Sequence, residues 1–221
     1  TKQLGIIGYP VEHTFSPNMH NFISETVHNN YVYGAWCVKP EDLKDAIGGM
    51  RALGISGINV TAPHKVEVMK YIDVVTDGAK KLGSVNTVVN RDGKLYGYNT
   101  DADGFCMALS KAGIEIENSR ILIIGAGGVV RPTLIKLIDN KPKSITVVNR
   151  TKSKAKTLAE DILKSTGFEV NTEIDKLEFD IVINTTSAGM EPQENVMPID
   201  DIEEINDLLF INENTAAVDM I

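Results

Sequence analysis

RILIIGAGGVVRPTLIKLIDNKPKSITVVNRTK, running from Arg120 to Lys152, is the stretch from which the rest of the chain can be placed. An apolar run, Ile121 to Ile124, breaks into Gly125-Ala126-Gly127-Gly128. An amphipathic segment follows with Val130, Leu134, Leu137 and Ile138 on one face, and a second apolar run covers Ile145 to Val148. Short Ile- and Val-rich runs on either side of one helical period read as strand, turn, helix, strand. Parallel strands need such a crossover and are buried on both faces, so the stretch predicts a βαβ unit. Glycines directly after the first strand let the backbone approach a pyrophosphate, and the N–H groups that open the helix supply donors and the positive end of its dipole. Val130 occupies the third glycine position of the usual fingerprint, which predicts looser packing of helix on strand.

The end of the second strand selects the nucleotide. In NAD sites an acidic residue there accepts from the ribose 2′-hydroxyl, whereas a 2′-phosphate needs cations and neutral donors. Asn149-Arg150-Thr151-Lys152, with Lys154 close by, holds no carboxylate, and the reading favours NADP. The plainer alternative makes Thr151 a helix cap and the cations a solvated first turn. Cations are poorly placed at a helix N-terminus unless something anionic meets them.

The whole chain, 221 residues, is long enough for one large domain or two small ones. A formal net charge of -8 argues against nucleic acid or an anionic membrane surface as a partner. No apolar run approaches the roughly 20 residues that span a bilayer, and the N-terminal residues lack a signal-peptide pattern. Cys37 and Cys106 lie far apart with no metal-type spacing, which suits a reducing cytosol and a cytoplasmic protein without a metal site.

Before the βαβ unit, Leu4 to Gly8 reads as a strand entering Tyr9 to Pro17, where Ser16-Pro17 signals a helix start with Ser16 as cap. Thr14 and Ser16 then offer hydroxyls beside open backbone donors, a cradle for a small carboxylate; capping without function is the plainer reading. Val32 to Val38 is a strand and Pro40 to Leu53 a helix. Gly57 to Thr61 is a third strand with Asn59 and Thr61 alternating on one face and Lys65 at its carboxyl end, where open α/β sheets bind ligands. A lysine there can exchange a proton with a reacting hydroxyl, although a single lysine is by default an exposed loop residue. Val85 to Val89 and Leu95 to Tyr98 form a hairpin about Asn90-Arg91-Asp92-Gly93. A helix opens at Asn99-Thr100-Asp101. After Lys152 a helix runs to about Ser165, Asp180 to Asn184 is a strand ending in Thr185-Thr186-Ser187, Glu191 to Asn206 is loop and weak helix, and Ala216 to Ile221 is a final apolar strand. A chain ending inside such a strand is expected to be truncated or covered by something else.

Taken together, GYPVEHTFSPNMHN, GINVTAPHK, GSVNTVV, GYNTDADG, IIGAGGVVR, VVNRT and INTTSAGM, in this order and spacing, resemble the shikimate dehydrogenase family over the whole chain. The resemblance implies an α/β protein of two domains. Residues 1–100 would bind substrate, 101–118 would form a connecting helix and linker, and 119–221 would form a Rossmann-like, doubly wound parallel sheet for NADP. It implies NADPH-dependent, reversible reduction of 3-dehydroshikimate to shikimate, a step of chorismate and aromatic amino-acid biosynthesis. By position, Lys65 and Asp101 would be the catalytic pair, and Thr14, Ser16, Thr61 and Asn86 would contact substrate, the first two at its carboxylate. Asp77 would bear on cofactor binding, Gly125, Ala126, Gly127, Gly128 and Val129 would form the pyrophosphate turn, and Asn149, Arg150, Thr151, Lys152 and Lys154 would meet the adenosine phosphate. Thr185 and Met220 would border the nicotinamide.

Thr14 stands where the family has serine, Val129 and Val130 stand where it has alanines, and the family's terminal helices, with a tyrosine and a substrate-holding glutamine, have no counterpart in this chain. Two alternatives remain at this point: a quinate or shikimate dehydrogenase working oxidatively with NAD, and a truncated, non-catalytic dinucleotide-binding remnant. The expected partner is a small molecule, and a homodimer is compatible with the reading.

Overall fold

The computed structural model describes residues 1–174, 178–189, 195–197 and 213–220. The chain divides into two compact units, Thr1–Asp101 and Ala102–Ile221.

The first unit is built on a six-stranded mixed sheet. Its strands are β1 (Lys2–Gly8), β2 (Tyr31–Cys37), β3 (Gly57–Val60), β4 (Val74–Val75), β5 (Thr87–Arg91) and β6 (Lys94–Tyr98), in the order β2-β1-β3-β5-β6-β4. β1 pairs in parallel with β2 and β3, β5 runs antiparallel to β3 and β6, and β4 lies parallel to β6. The carboxyl ends of β1, β3 and β6 and the start of β5 therefore share one end of the sheet. Helix α1 (Ser16–Thr26) follows β1, α2 (Leu43–Ala52) follows β2, and α3 (Asp77–Leu82) precedes β5. Leu43, Ile47 and Met50 of α2 pack into one buried cluster with Ile7, Ile58, Val60, Val88 and Leu95 of the sheet.

Three local details differ from the sequence reading. Ser16 is the first residue of α1 rather than its cap: Phe15 stands at the cap without a side-chain bond. Ser16 donates its N–H to Thr14 Oγ1 at 3.3 Å instead. The segment from Pro40 to Leu53 splits into a 3₁₀ turn, Pro40–Asp42, and α2. β4, two residues long, is too short to announce itself by periodicity. The hairpin turn behaves as its residues demand, with Asp92 and Gly93 at φ 53° and 85°, the positive values of a two-residue turn.

The second unit carries a four-stranded, all-parallel sheet of β7 (Arg120–Ile124), β8 (Ser144–Val148), β9 (Ile181–Asn184) and β10 (Ala216–Asp219), in the order β10-β9-β7-β8. Helix α4 (Asp101–Lys111) leads into the unit, α5 (Val130–Asp139) links β7 to β8, and α6 (Lys152–Thr166) follows β8. Every residue of β7 after Arg120, and of β8 after Ser144, is buried, as a strand covered on both faces must be. Connections leave β7 toward β8 and then return to β9 on its other side, which makes the carboxyl ends of β7 and β9 a topological switch point. The segment Glu191 to Asn206 falls almost entirely outside the described residues. Among the described residues no helix is long and apolar enough to cross a membrane.

Candidate active site

At the shared end of the first sheet, three stretches distant in sequence are sewn together by backbone bonds. Val60 N–H donates to Asn86 O, Asn86 N–H to Tyr98 O, and Val85 N–H to Lys65 O, at 2.8, 3.0 and 2.8 Å. His64, buried on the turn before Lys65, holds its Nε2 2.7 Å from Val38 O. A carbonyl only accepts, so that nitrogen carries the proton and ties the turn to the end of β2. Thr61 N–H donates to Ile7 O, and Gly8 passes so close that an added Cβ would lie 2.4 Å from Thr61 Cγ2.

These ties bring Lys65, Asn86 and Asp101 together. Lys65 Nζ lies 2.8 Å from Asp101 Oδ2, and Asn86 Nδ2 donates to Asp101 Oδ1 at 2.6 Å. The pair is partly open, with 27% of the Lys65 side chain and 44% of the Asp101 side chain exposed, so a substrate can reach both. Asn86 itself is buried and also donates to Thr100 Oγ1 at 2.9 Å. A cation whose position is fixed by a carboxylate can hand a proton to a developing alkoxide, and the carboxylate can accept from a neighbouring hydroxyl. After β1, Thr14 Oγ1 donates to Ser16 Oγ at 3.1 Å, leaving the Ser16 hydroxyl hydrogen to donate onward. Asp77 lies elsewhere on the unit, exposed in the first turn of α3 and 3.4 Å from Lys80 Nζ.

The glycine turn of the second unit follows β7. Gly125 has φ +115° and donates to Val148 O at 2.8 Å. A Cβ on Gly125 would meet Thr185 Oγ1 at 2.4 Å, whereas one on Gly127 or Gly128 would meet nothing within 4 Å. The turn is therefore crowded underneath and open above Gly127 and Gly128, the shape a pyrophosphate requires. Ala126 is half-buried and Val129 40% exposed, while Val130, the first residue of α5, is buried. Thr185 bonds back to Ile124 O through its hydroxyl at 2.8 Å, which places it at the switch point. Beyond β10, Met220 N–H donates to Asn184 O at 3.0 Å.

At the end of β8, Asn149 Nδ2 donates to Thr151 O at 3.0 Å, and Arg150, Thr151, Lys152 and Lys154 are exposed around the start of α6. Thr151 stands at the cap without a side-chain capping bond. An open depression of about 370 Å³ runs from Ala126 along Ser153, Lys154, Thr157, Leu158 and Asp161. Hydroxyls, an amide and cations, with no carboxylate between Asn149 and Lys154, fit a phosphorylated ribose better than a bare diol.

Thr87, Asn59 and Tyr33 also belong to the polar network of the first unit. Alternation of Asn59 with Thr61 hinted at one of them; Thr87 and Tyr33 depend on strand register and gave no signal.

Known proteins similar to this chain point to one family. Residues 6–88 match the family model of the shikimate dehydrogenase substrate binding domain, and residues 107–211 match that of shikimate / quinate 5-dehydrogenase. The shikimate dehydrogenase (NADP(+)) of Geobacillus sp. strain WCH70 is 46% identical over 203 residues, covering 90% of this chain and 73% of that protein. A crystal structure of a shikimate dehydrogenase in complex with NADP+ is 41% identical with a TM-score of 0.89, covering all of this chain and 77% of the other. The Thermus thermophilus shikimate 5-dehydrogenase in complex with NADP(H) and shikimate is 32% identical, with a TM-score of 0.84 and coverage of 99% and 78%. The sequence motifs, the two sheets and these relatives converge, and the chain belongs to the shikimate dehydrogenase family.

Proposed function

We propose that this protein interconverts 3-dehydroshikimate and shikimate with NADP(H), as an oxidoreductase of aromatic amino-acid and chorismate biosynthesis. The observation that carries the reading is the Lys65–Asp101–Asn86 constellation, 2.8 and 2.6 Å apart at the end of a sheet, in a chain 46% identical to a shikimate dehydrogenase (NADP(+)).

NADPH, when bound, supplies a hydride to the ketone carbon. Lys65 Nζ donates the proton that the resulting alkoxide oxygen takes up. Asp101 holds the ammonium in place through Oδ2 and accepts from an adjacent substrate hydroxyl, and Asn86 holds Asp101. Thr14 and Ser16 bind the substrate carboxylate through hydroxyl and backbone donors, and Thr61 contacts the ring. Gly125 to Val129 receive the pyrophosphate. Asn149, Arg150, Thr151, Lys152 and Lys154 receive the 2′-phosphate, and Thr185 and Met220 border the nicotinamide. Asp77 bears on cofactor binding. This assigns residues 1–100 to substrate, 101–118 to the connection and 119–221 to the cofactor.

A cytoplasmic location fits the two free cysteines, Cys37 and Cys106. A homodimer fits the exposed apolar row Phe15, Met19, Phe22 and Val27, and light scattering reads it directly.

The deciding assay follows NADPH formation from shikimate and NADP. Lys65→Ala lowers kcat by about 10²- to 10⁴-fold if Lys65 is the proton donor. A loss below about tenfold removes Lys65 from that role.

A further inference from the structure

The hydrogen bonds that end on Asp101 run back across the sheet in one direction. Thr100 N–H can only donate, so the Asn86 atom 3.0 Å from it is the carbonyl oxygen, and Nδ2 is thereby turned to Asp101. The same oxygen accepts from the Thr87 hydroxyl at 2.9 Å. A hydroxyl has one hydrogen, so Thr87 Oγ1 must accept from Asn59 Nδ2, 3.3 Å away. Asn59 Oδ1 then faces the Tyr33 hydroxyl, which donates at 2.6 Å. Each donor from Tyr33 to Asp101 lies on the Tyr33 side, an arrangement in which the bonds polarise one another toward the carboxylate.

Strand register builds this chain. Asn59 and Thr87 are direct partners across β3 and β5. Tyr33 lies opposite Leu4 of β1, and Asn59 lies opposite Ile6, so the period of two puts Tyr33, Asn59 and Thr87 on one face and Tyr33 reaches Asn59 across β1. The phenol is packed with Ile6 and Val11 and stacks on the His20 ring at 4.2 Å and 12°. Burial pushes the Tyr33 hydroxyl up to about 12, so it keeps its hydrogen throughout the working range. A buried phenol aimed at one amide oxygen, with an aromatic ring on its face, is a fixed anchor.

We propose that Tyr33 and Thr87 are positioning residues for proton transfer: through Asn59 and Asn86 they lock the Asp101 carboxylate in the orientation that faces Lys65. The inference rests on the roles given above to Lys65 and Asp101, and it adds two residues that act through Asn59 and Asn86.

The test uses the full chain with Thr87→Val, Thr87→Ser and Tyr33→Phe. It reads kcat, KM for shikimate and for NADP, thermal melting, and hydrogen exchange of the Asn86 side-chain amide by ¹⁵N NMR. Thr87→Val is expected to lower kcat about tenfold and raise the shikimate KM about threefold with the NADP KM unchanged. Thr87→Ser returns both to within about twofold, and Tyr33→Phe lowers kcat about threefold. Asn86 amide exchange quickens in the Val and Phe variants and stays slow in the Ser variant. Variants that only melt earlier, with both kinetic constants and amide exchange at wild-type values, overturn the proposal, as does a Ser variant that behaves like Val. If the wild-type protein does not oxidise shikimate, the functional reading has failed, and the amide exchange series still decides whether the chain holds Asn86.

Discussion

Gly125 and Thr185 meet where β7 and β9 end, so closely that a Cβ on Gly125 would lie 2.4 Å from Thr185 Oγ1. The φ of +115° at Gly125 is also one that an L side chain rarely adopts. Gly125→Ala must push Thr185 off Ile124 O and strain the turn, at a cost of about 2–3 kcal/mol. The expected outcome is a less stable protein that binds NADPH at least about tenfold more weakly, since the same turn shapes the pyrophosphate site. Denaturant melts and NADPH fluorescence titration check it; wild-type values in both would show that the turn can relax.

Thr14 links to Ser16 twice, donating to its hydroxyl and accepting its N–H. Thr14→Val keeps the shape and removes both bonds, loosening the carboxylate cradle without touching Lys65 or Asp101. A contact made equally in ground and transition states changes KM rather than kcat. Steady-state kinetics should therefore show the shikimate KM raised about tenfold with kcat within about threefold. A large fall in kcat at unchanged KM would place Thr14 in the chemistry instead.

Long regular features were legible because each carries its own local signal. Ile121–Ile124, the glycines and the amphipathic face of α5 announce a parallel βαβ unit, and Asp92-Gly93 announces a hairpin. What stayed hidden depends on partners. β4 exists because Asp73 N–H donates to Leu95 O and Leu95 N–H donates to Asp73 Oδ2, and nothing in Val74–Val75 foretells it. Ser16 reads as a cap until its N–H is found on Thr14. Lys65 and Asp101 stand 36 residues apart, and their pairing was suggested by family motifs, since spacing alone cannot bring them together. Tyr33 and Thr87 enter the site only through register across four strands, β2, β1, β3 and β5, which no single segment encodes.

Arg150 stands exposed at the end of β8 beside Asn149 and Thr151. A guanidinium facing a 2′-phosphate makes charge-assisted bonds that NAD cannot use. Arg150→Ala should raise the NADP KM about ten- to hundredfold and leave the weaker NAD activity within about threefold. The ratio of kcat/KM for the two cofactors is the measurement, and an unchanged ratio would move discrimination to the lysines of α6.

Acid should loosen the first unit through Asp73. The Leu95 N–H at 2.7 Å and the Arg51 guanidinium at 2.9 Å hold its carboxyl below the usual carboxylate range. A depressed folded value means the stabilisation is fully present above the unfolded value, about 3.9, and is lost as pH falls through the folded one. Asp73→Asn has no charge to lose. The stability gap between wild type and Asp73→Asn should thus be constant from pH 7 to about pH 5 and shrink below about pH 4. Urea melts at closely spaced pH values read the gap, and a gap that stays constant down to pH 3 would show that the Leu95 and Arg51 contacts do not favour the ionised carboxyl.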